Sequence, residues 1–276
     1  MFIYVIIQSS MQLTIADTSF VLEFDSNCHE SAVRPLCAAF MRGGYGEPCR
    51  LSVRETAISD RPSNVTWRES EGLVELFTPA FTIRIDTVPN CGEILLESFS
   101  PELFLRALRN VVTYDIIKRG GMVMHASGVV REERAYVFPG RSGCGKSTIA
   151  RLSVDDTVLS QEFIGILPAS DGWRACGLPY AEDAEFTRRS GASHPLAAVL
   201  LPVQDKRHEL RPLEAVQALA MLFNMPAGMN LPIQYACTLN RYGRLVETAR
   251  CYTMHFLPDA GFWHEIRKNM DAEVAI

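Results

Sequence analysis

The sequence predicts an α/β chain in two parts: a small α+β region over residues 1–98, and a larger region over 99–276 where strands and helices alternate. Three observations carry this expectation. The first hundred residues hold short β-like runs separated by turn-rich pieces. A well-capped helix opens at Ser100, and from Met122 onward strand-length apolar runs alternate with helical segments, the pattern of an α/β unit.

In the first region the strand-like runs are Gln12–Ile15, Phe20–Phe24, Leu51–Val53, Val74–Phe77, Phe81–Ile85 and Glu93–Leu96, with turn-rich pieces at Met41–Pro48 and Ser59–Asn64. One helix is expected around Ser31–Met41, and much of the strand pairing should be antiparallel. Met1–Ile7 reads as a strand or as translation upstream of a second start at Met11; it is far shorter than the roughly 20 apolar residues that cross a bilayer. At Ser100-Pro101-Glu102 the signal changes, because Ser caps a helix, Pro fits its first turn and an acid there suits the dipole. Phe104, Ala107, Leu108, Val111, Val112 and Ile116 form the apolar stripe, and Gly120-Gly121 ends it.

Composition removes several classes of function. Among 276 residues, 27 basic against 32 acidic side chains give a formal charge of −5, and no basic run offers a footprint for nucleic acid or an anionic membrane. Hydrophobic residues at 47% and charged residues at 21% are ordinary globular usage, unlike a disordered or fibrous chain. The eight cysteines include no C-x-x-C pair, so they read as reduced thiols of a cytoplasmic protein, and the six histidines form no zinc-ligand pattern with them.

Residues Gly140-Arg141-Ser142-Gly143-Cys144-Gly145-Lys146-Ser147 match the phosphate-loop pattern G-x-x-x-x-G-K-[ST] without a mismatch. Glycines at this spacing let successive backbone N–H groups converge on one anion, and the following helix adds the positive end of its dipole. Lys146 is expected on the outer phosphates of a nucleotide and the Ser147 hydroxyl on Mg²⁺, with Thr148 completing the binding segment. With only four lysines in the chain, the pattern would arise by chance about 0.002 times. Its setting agrees, since Ala135–Phe138 is an apolar strand running into the loop and a helix follows.

Met122–Val130 and Ala135–Phe138 flank the polar turn Arg131–Arg134, so a hairpin centred on Glu132/Glu133 pairs positions that sum to 265. His125 then faces Gly140. It is either a group at the phosphate end of the site or a core histidine satisfied by backbone. A magnesium nucleotide site also needs an acid at the end of a second strand. Thr157–Ser160 is followed by Gln161-Glu162 and the apolar run Phe163–Leu167, which makes Glu162 the metal-side carboxylate; Asp155 and Asp156 read as a solvated turn. Gln161 is neutral and cannot serve as a general base. Arg141 and the Arg188-Arg189 pair stand as phosphate or carboxylate contacts or as solvated charges, and Phe256, Phe262 and Trp263 as core or docking residues.

With these residues in place, the chain resembles the HPr kinase/phosphorylase family, and most of all its shorter HPr kinase-like relatives. The matching pieces are Met124–Ser127, Gly140–Thr148, Leu159–Glu162 and Gly177-Leu178-Pro179-Tyr180, within a span from about Ser100 to Trp263. The resemblance implies a P-loop, phosphoenolpyruvate-carboxykinase-like nucleotide domain that uses ATP and Mg²⁺. It also implies phosphoryl transfer to a serine-type hydroxyl of a peptide, protein or small metabolite. His125, Lys146, Gln161 and Glu162 take the catalytic positions. It further implies an acid at position 161 as base, where this chain has Gln; the alternative is therefore a nucleotide-binding regulatory protein of the same fold that has lost turnover. No segment matching the family's HPr-binding element is recognisable. Neither nucleic acid nor membrane is expected as a partner, and self-association stays open.

Overall fold

The computed structural model describes residues 7–42, 46–57, 63–224 and 232–272, with backbone alone for 232–238 and 271–272. The chain divides into two compact units, residues 1–114 with 179–185, and residues 115–178 with 186–276. Both are mixed α/β, each built on one mixed sheet.

The first unit holds β1 (Ser9–Ile15), β2 (Thr18–Phe24), α1 (Asn27–Val33), β3 (Cys49–Glu55), β4 (Thr66–Ser70), β5 (Leu73–Phe77), β6 (Phe81–Asp86), β7 (Cys91–Leu96) and most of α2 (Pro101–Lys118). The strand order is β1-β2-β3-β7-β6-β5-β4. Hairpins supply the antiparallel pairs, while β2–β3 and β3–β7 are parallel, so the unit is less uniformly antiparallel than the sequence suggests. The helix expected over Ser31–Met41 lies earlier and is interrupted: α1 ends at Val33 and a single 3₁₀ turn follows at Ala38–Phe40. Pro35 explains the break, because it has no backbone N–H to donate to the carbonyl four residues earlier and its ring crowds that carbonyl, while Arg34 before it still takes helical backbone. Of the expected Met1–Ile7 segment, residues 1–6 lie outside the described residues, as does part of Ser59–Asn64. Helix α2 begins as predicted, with Ser100 Oγ accepting the N–H of Leu103 at 3.1 Å, and it buries Phe104 5.7 Å from Phe24. The two units divide within this helix, after Tyr114, rather than before it at residue 98.

The second unit carries β8 (Met122–Arg131), β9 (Arg134–Pro139), α3 (Lys146–Arg151), β10 (Thr157–Ser160), β11 (Phe163–Ala169), β12 (Gly172–Gly177), β13 (His194–Gln204), β14 (Glu209–Pro212), α4 (Ala215–Phe223), α5 (Pro232–Thr248), β15 (Cys251–Phe256) and α6 (Phe262–Ala272). Here β9 lies between β8, antiparallel, and β13, parallel, and β13 continues in parallel to β15. Two apolar clusters cover the faces of the sheet. Val137, Val199 and Leu201 pack with Ala218, Leu222 and Leu245 of α4 and α5. Phe138, Leu200 and Met254 pack with Ile149 of α3 and with Phe262, Trp263 and Ile266 of α6, which confirms the C-terminal aromatics as core. A sheet covered on both faces leaves its strand ends for chemistry, and in parallel segments the open end is the carboxyl one.

Candidate functional site

The carboxyl ends of β9, β13 and β15 meet at one edge of the second unit. Strand β9 delivers the chain into the loop Gly140–Gly145, and α3 leaves it at Lys146. The loop needs its glycines for three separate reasons. Gly143 and Gly145 adopt φ of +82° and +110°, a region that side chains rarely enter. A Cβ on Gly145 would also come within 2.5 Å of the Phe256 ring, and one on Gly140 within 2.2 Å of Cys144 Sγ.

Inside this loop the Lys146 side chain is buried, 5% exposed, and its Nζ donates to the carbonyls of Gly140 at 2.9 Å and Arg141 at 3.1 Å. The ammonium is thus held by carbonyls of the loop itself. Ser142 is exposed, while Ser147 and Thr148 are half-buried in the first turn of α3. The loop is tied to its surroundings at two points that sequence reading does not find. Gln204, at the end of β13, donates to Gly143 O at 2.8 Å, and the Arg141 guanidinium donates to Asn224 O, just past α4, at 3.2 Å. Gln204 lies 61 residues from its partner, and nothing local to it signals a role. Arg141 is therefore an exposed side chain spent on a backbone carbonyl.

The hairpin register matches the expected sum of 265 along its whole length, from Ala126↔Pro139 to Arg131↔Arg134. It extends one step further, where Gly140 N donates to His125 O at 3.4 Å. Glu132 and Glu133 both take positive φ, the geometry of a two-residue turn whose twist matches that of the strands. On its other side β8 pairs with β11 so that His125 faces Phe163, which sets Glu162 beside it. His125 Nε2 and Glu162 Oε1 are 2.5 Å apart, both side chains largely shielded at 15% and 29% exposure. Glu162 is fixed by its backbone as well, since its N–H donates to Ser160 Oγ at 3.2 Å and its carbonyl accepts from Ala126 N at 3.1 Å. One oxygen of that carboxylate faces the imidazole. Gln161 is buried in the same link, 5% exposed.

The structure thus brings His125, Gly140 and Glu162 together beside the lysine loop. It sets Asp155 and Asp156 elsewhere, at the turn end of β8, where Asp156 lies 3.7 Å from Arg131 and Arg188 donates to Asp155 O. Arg188 O and the Arg189 backbone pair with Val158, so this pair sits along β10. Within Gly177–Tyr180, Gly177 is forced by contact, since a Cβ there would lie 2.0 Å from Leu159 O. Beyond the loop, Asp205 Oδ2 meets His255 Nδ1 at 2.8 Å; the Lys206 N–H and then His255 hold the Asp205 carboxyl below its usual range.

Among the described residues no three or more His, Cys, Asp or Glu side chains gather to hold a metal on their own. Ser147 and Glu162 carry oxygens of the kind that could hold Mg²⁺, a cation that keeps waters in its shell and takes few protein ligands. No helix among the described residues is long and apolar enough to cross a membrane. Comparison of the chain with protein-family models finds no match, and comparison with curated proteins finds none either.

Proposed function

We propose that the second unit is a P-loop nucleotide domain of the HPr-kinase-like kind. It binds Mg·ATP on Gly140–Thr148 and transfers a phosphoryl group to a hydroxyl of a peptide, protein or small metabolite. The observation that carries this reading is the glycine loop closing over the Lys146 ammonium with the His125–Glu162 pair beside its first residue. Phosphoryl transfer asks a protein mainly for positioning and charge compensation. Lys146 exchanges its two loop carbonyls for the outer phosphates, and the loop N–H groups hold the rest of the chain of charge. Ser147 and Glu162 would hold Mg²⁺, which would supply positive charge against the phosphates. The bond to the leaving diphosphate breaks as the acceptor oxygen bonds to phosphorus, and the hydroxyl proton passes to the His125–Glu162 pair, because the Gln161 amide cannot accept it.

Gln161 also favours a second reading, a nucleotide-binding regulatory or scaffold protein without turnover. General-base help is worth about 10²–10⁴-fold, so Gln161→Asp separates the two. ADP formation is measured with the wild type and with Gln161→Asp in the presence of hydroxyl-bearing peptides and metabolites. A rise of that order supports the kinase. Nucleotide binding with no ADP from either protein supports the regulator.

A further inference from the structure

The turn end of the β8–β9 hairpin carries a cavity of about 330 Å³, at the opposite end of β8 from His125. Arg131, Asp155, Asp156, Trp263, His264 and Arg267 line it. Its floor is rigid: Trp263 is buried in the core, and its indole N–H donates to Ser153 Oγ at 3.0 Å, just past the last turn of α3. The Arg131 guanidinium lies over the Trp263 ring, 5.0 Å from the centroid, which fixes the plane it presents.

A settled Arg–carboxylate pair closes to about 2.7–2.9 Å with parallel N–H···O bonds. Here Arg131 Nη1 stays 3.7 Å from Asp156 Oδ2, and neither side chain makes a hydrogen bond among the described residues. Asp156 is largely shielded, 18% exposed, and burial followed by the like charge of Asp155 pushes its carboxyl above the usual range against the pull of Arg131 and Arg188. Arg267, on the same lining, is paired with Glu132 at 2.8 Å, and His264 stands exposed at the rim. Beside an Arg267 already paired with Glu132, the cavity therefore presents one cation, Arg131, and one or two anions, opposed and left without hydrogen bonds. A simple anion entering it would meet Asp156, and a simple cation would meet Arg131. A ligand carrying both charges a few ångströms apart satisfies both.

We propose that this cavity binds a small zwitterion of the α-amino-acid class, its carboxylate on the Arg131 guanidinium and its ammonium on Asp156 with Asp155 beside it. The volume lies at the lower end of the roughly 300–1,000 Å³ typical of ligand pockets, which suits a molecule of that size. The proposal does not depend on the nucleotide reading. It is tested on the full chain by thermal shift with the standard L-amino acids, followed by calorimetry on any that stabilise it. Saturable one-to-one binding is expected, lost at least about tenfold when the ligand is replaced by its N-acetyl or its amide form. The same loss is expected for Arg131→Gln and for the near-isosteric Asp156→Asn, both checked for native fold by circular dichroism, while Lys146→Ala leaves binding unchanged. The proposal fails if no standard amino acid saturates at millimolar concentration. It fails equally if a blocked form binds as well as the parent, or if both substitutions leave affinity intact.

Discussion

The two ends of β8 are built from the same strand and differ in how their polar groups are met. At the loop end the protein's own backbone and side chains meet them: Lys146 donates to two carbonyls, Gly140 N to His125 O, and Glu162 is held at its N–H by Ser160, at its carbonyl by Ala126 N and at its carboxylate by His125. At the turn end, Arg131 and Asp156 face each other at 3.7 Å without a hydrogen bond beside an open cavity. The lesson concerns preorganisation. A loop that must hold several negative charges is shaped in advance by glycine conformations and short-range hydrogen bonds. A pocket that recognises a pair of opposite charges leaves its own pair apart until something enters.

That contrast is open to attack in order of expected effect. The loop end should not tolerate even one methyl group. Gly177→Ala, whose Cβ would press on Leu159 O, is expected to cost about 3 kcal/mol or more, read as a large fall in Tm. Gly145→Ala is expected to be milder on the fold, about 1–3 kcal/mol from its φ of +110° and the Phe256 ring, yet to abolish measurable Mg·ATP binding. Glu162→Gln should raise the magnesium concentration needed for half-maximal binding or turnover about tenfold, since a neutral amide is a poor ligand for a hard cation. A magnesium titration that overlays the wild type would remove Glu162 from the site.

The smallest effect belongs to the turn end. Asp156 has a raised folded pKa, so ionising it opposes folding: the native state is favoured below the unfolded carboxylate pKa and loses that advantage as pH rises through the folded value. Asp156→Asn should therefore be slightly more stable than the wild type at neutral pH, with the difference vanishing as the pH falls through the carboxylate range. Thermal melts from acid to neutral pH read this directly, and a variant less stable at neutral pH would mean that the Arg131 pair outweighs the burial.

Much of the loop end was legible in the sequence because its determinants are local. The loop motif is contiguous, the hairpin register follows from a two-residue turn, and the Ser100 cap lies within one helical turn of Leu103. What escaped reading is non-local or lacks a pattern. Strand β4, Thr66–Ser70, is polar and mostly exposed at a sheet edge, so no alternation marks it. The parallel pairings of β3 join residues about thirty positions apart with β2 and about forty with β7, beyond what turn chemistry encodes. Residues 179–185 return to the first unit although the segments around them belong to the second. Gln204 at the loop, and the meeting of Arg131 with Asp156 and Trp263, depend on how strands and helices stack after the chain has folded.

The central claim is that the Gly140–Thr148 loop holds the phosphates of Mg·ATP through Lys146. The most direct test is a calorimetric titration of the full chain with Mg·ATP, comparing the wild type with Lys146→Ala. Losing a charge-assisted hydrogen bond worth about 1.5–3 kcal/mol should weaken binding roughly tenfold to a hundredfold, with the native fold retained by circular dichroism. Equal affinity in the two proteins, or no binding by the wild type, would contradict the account.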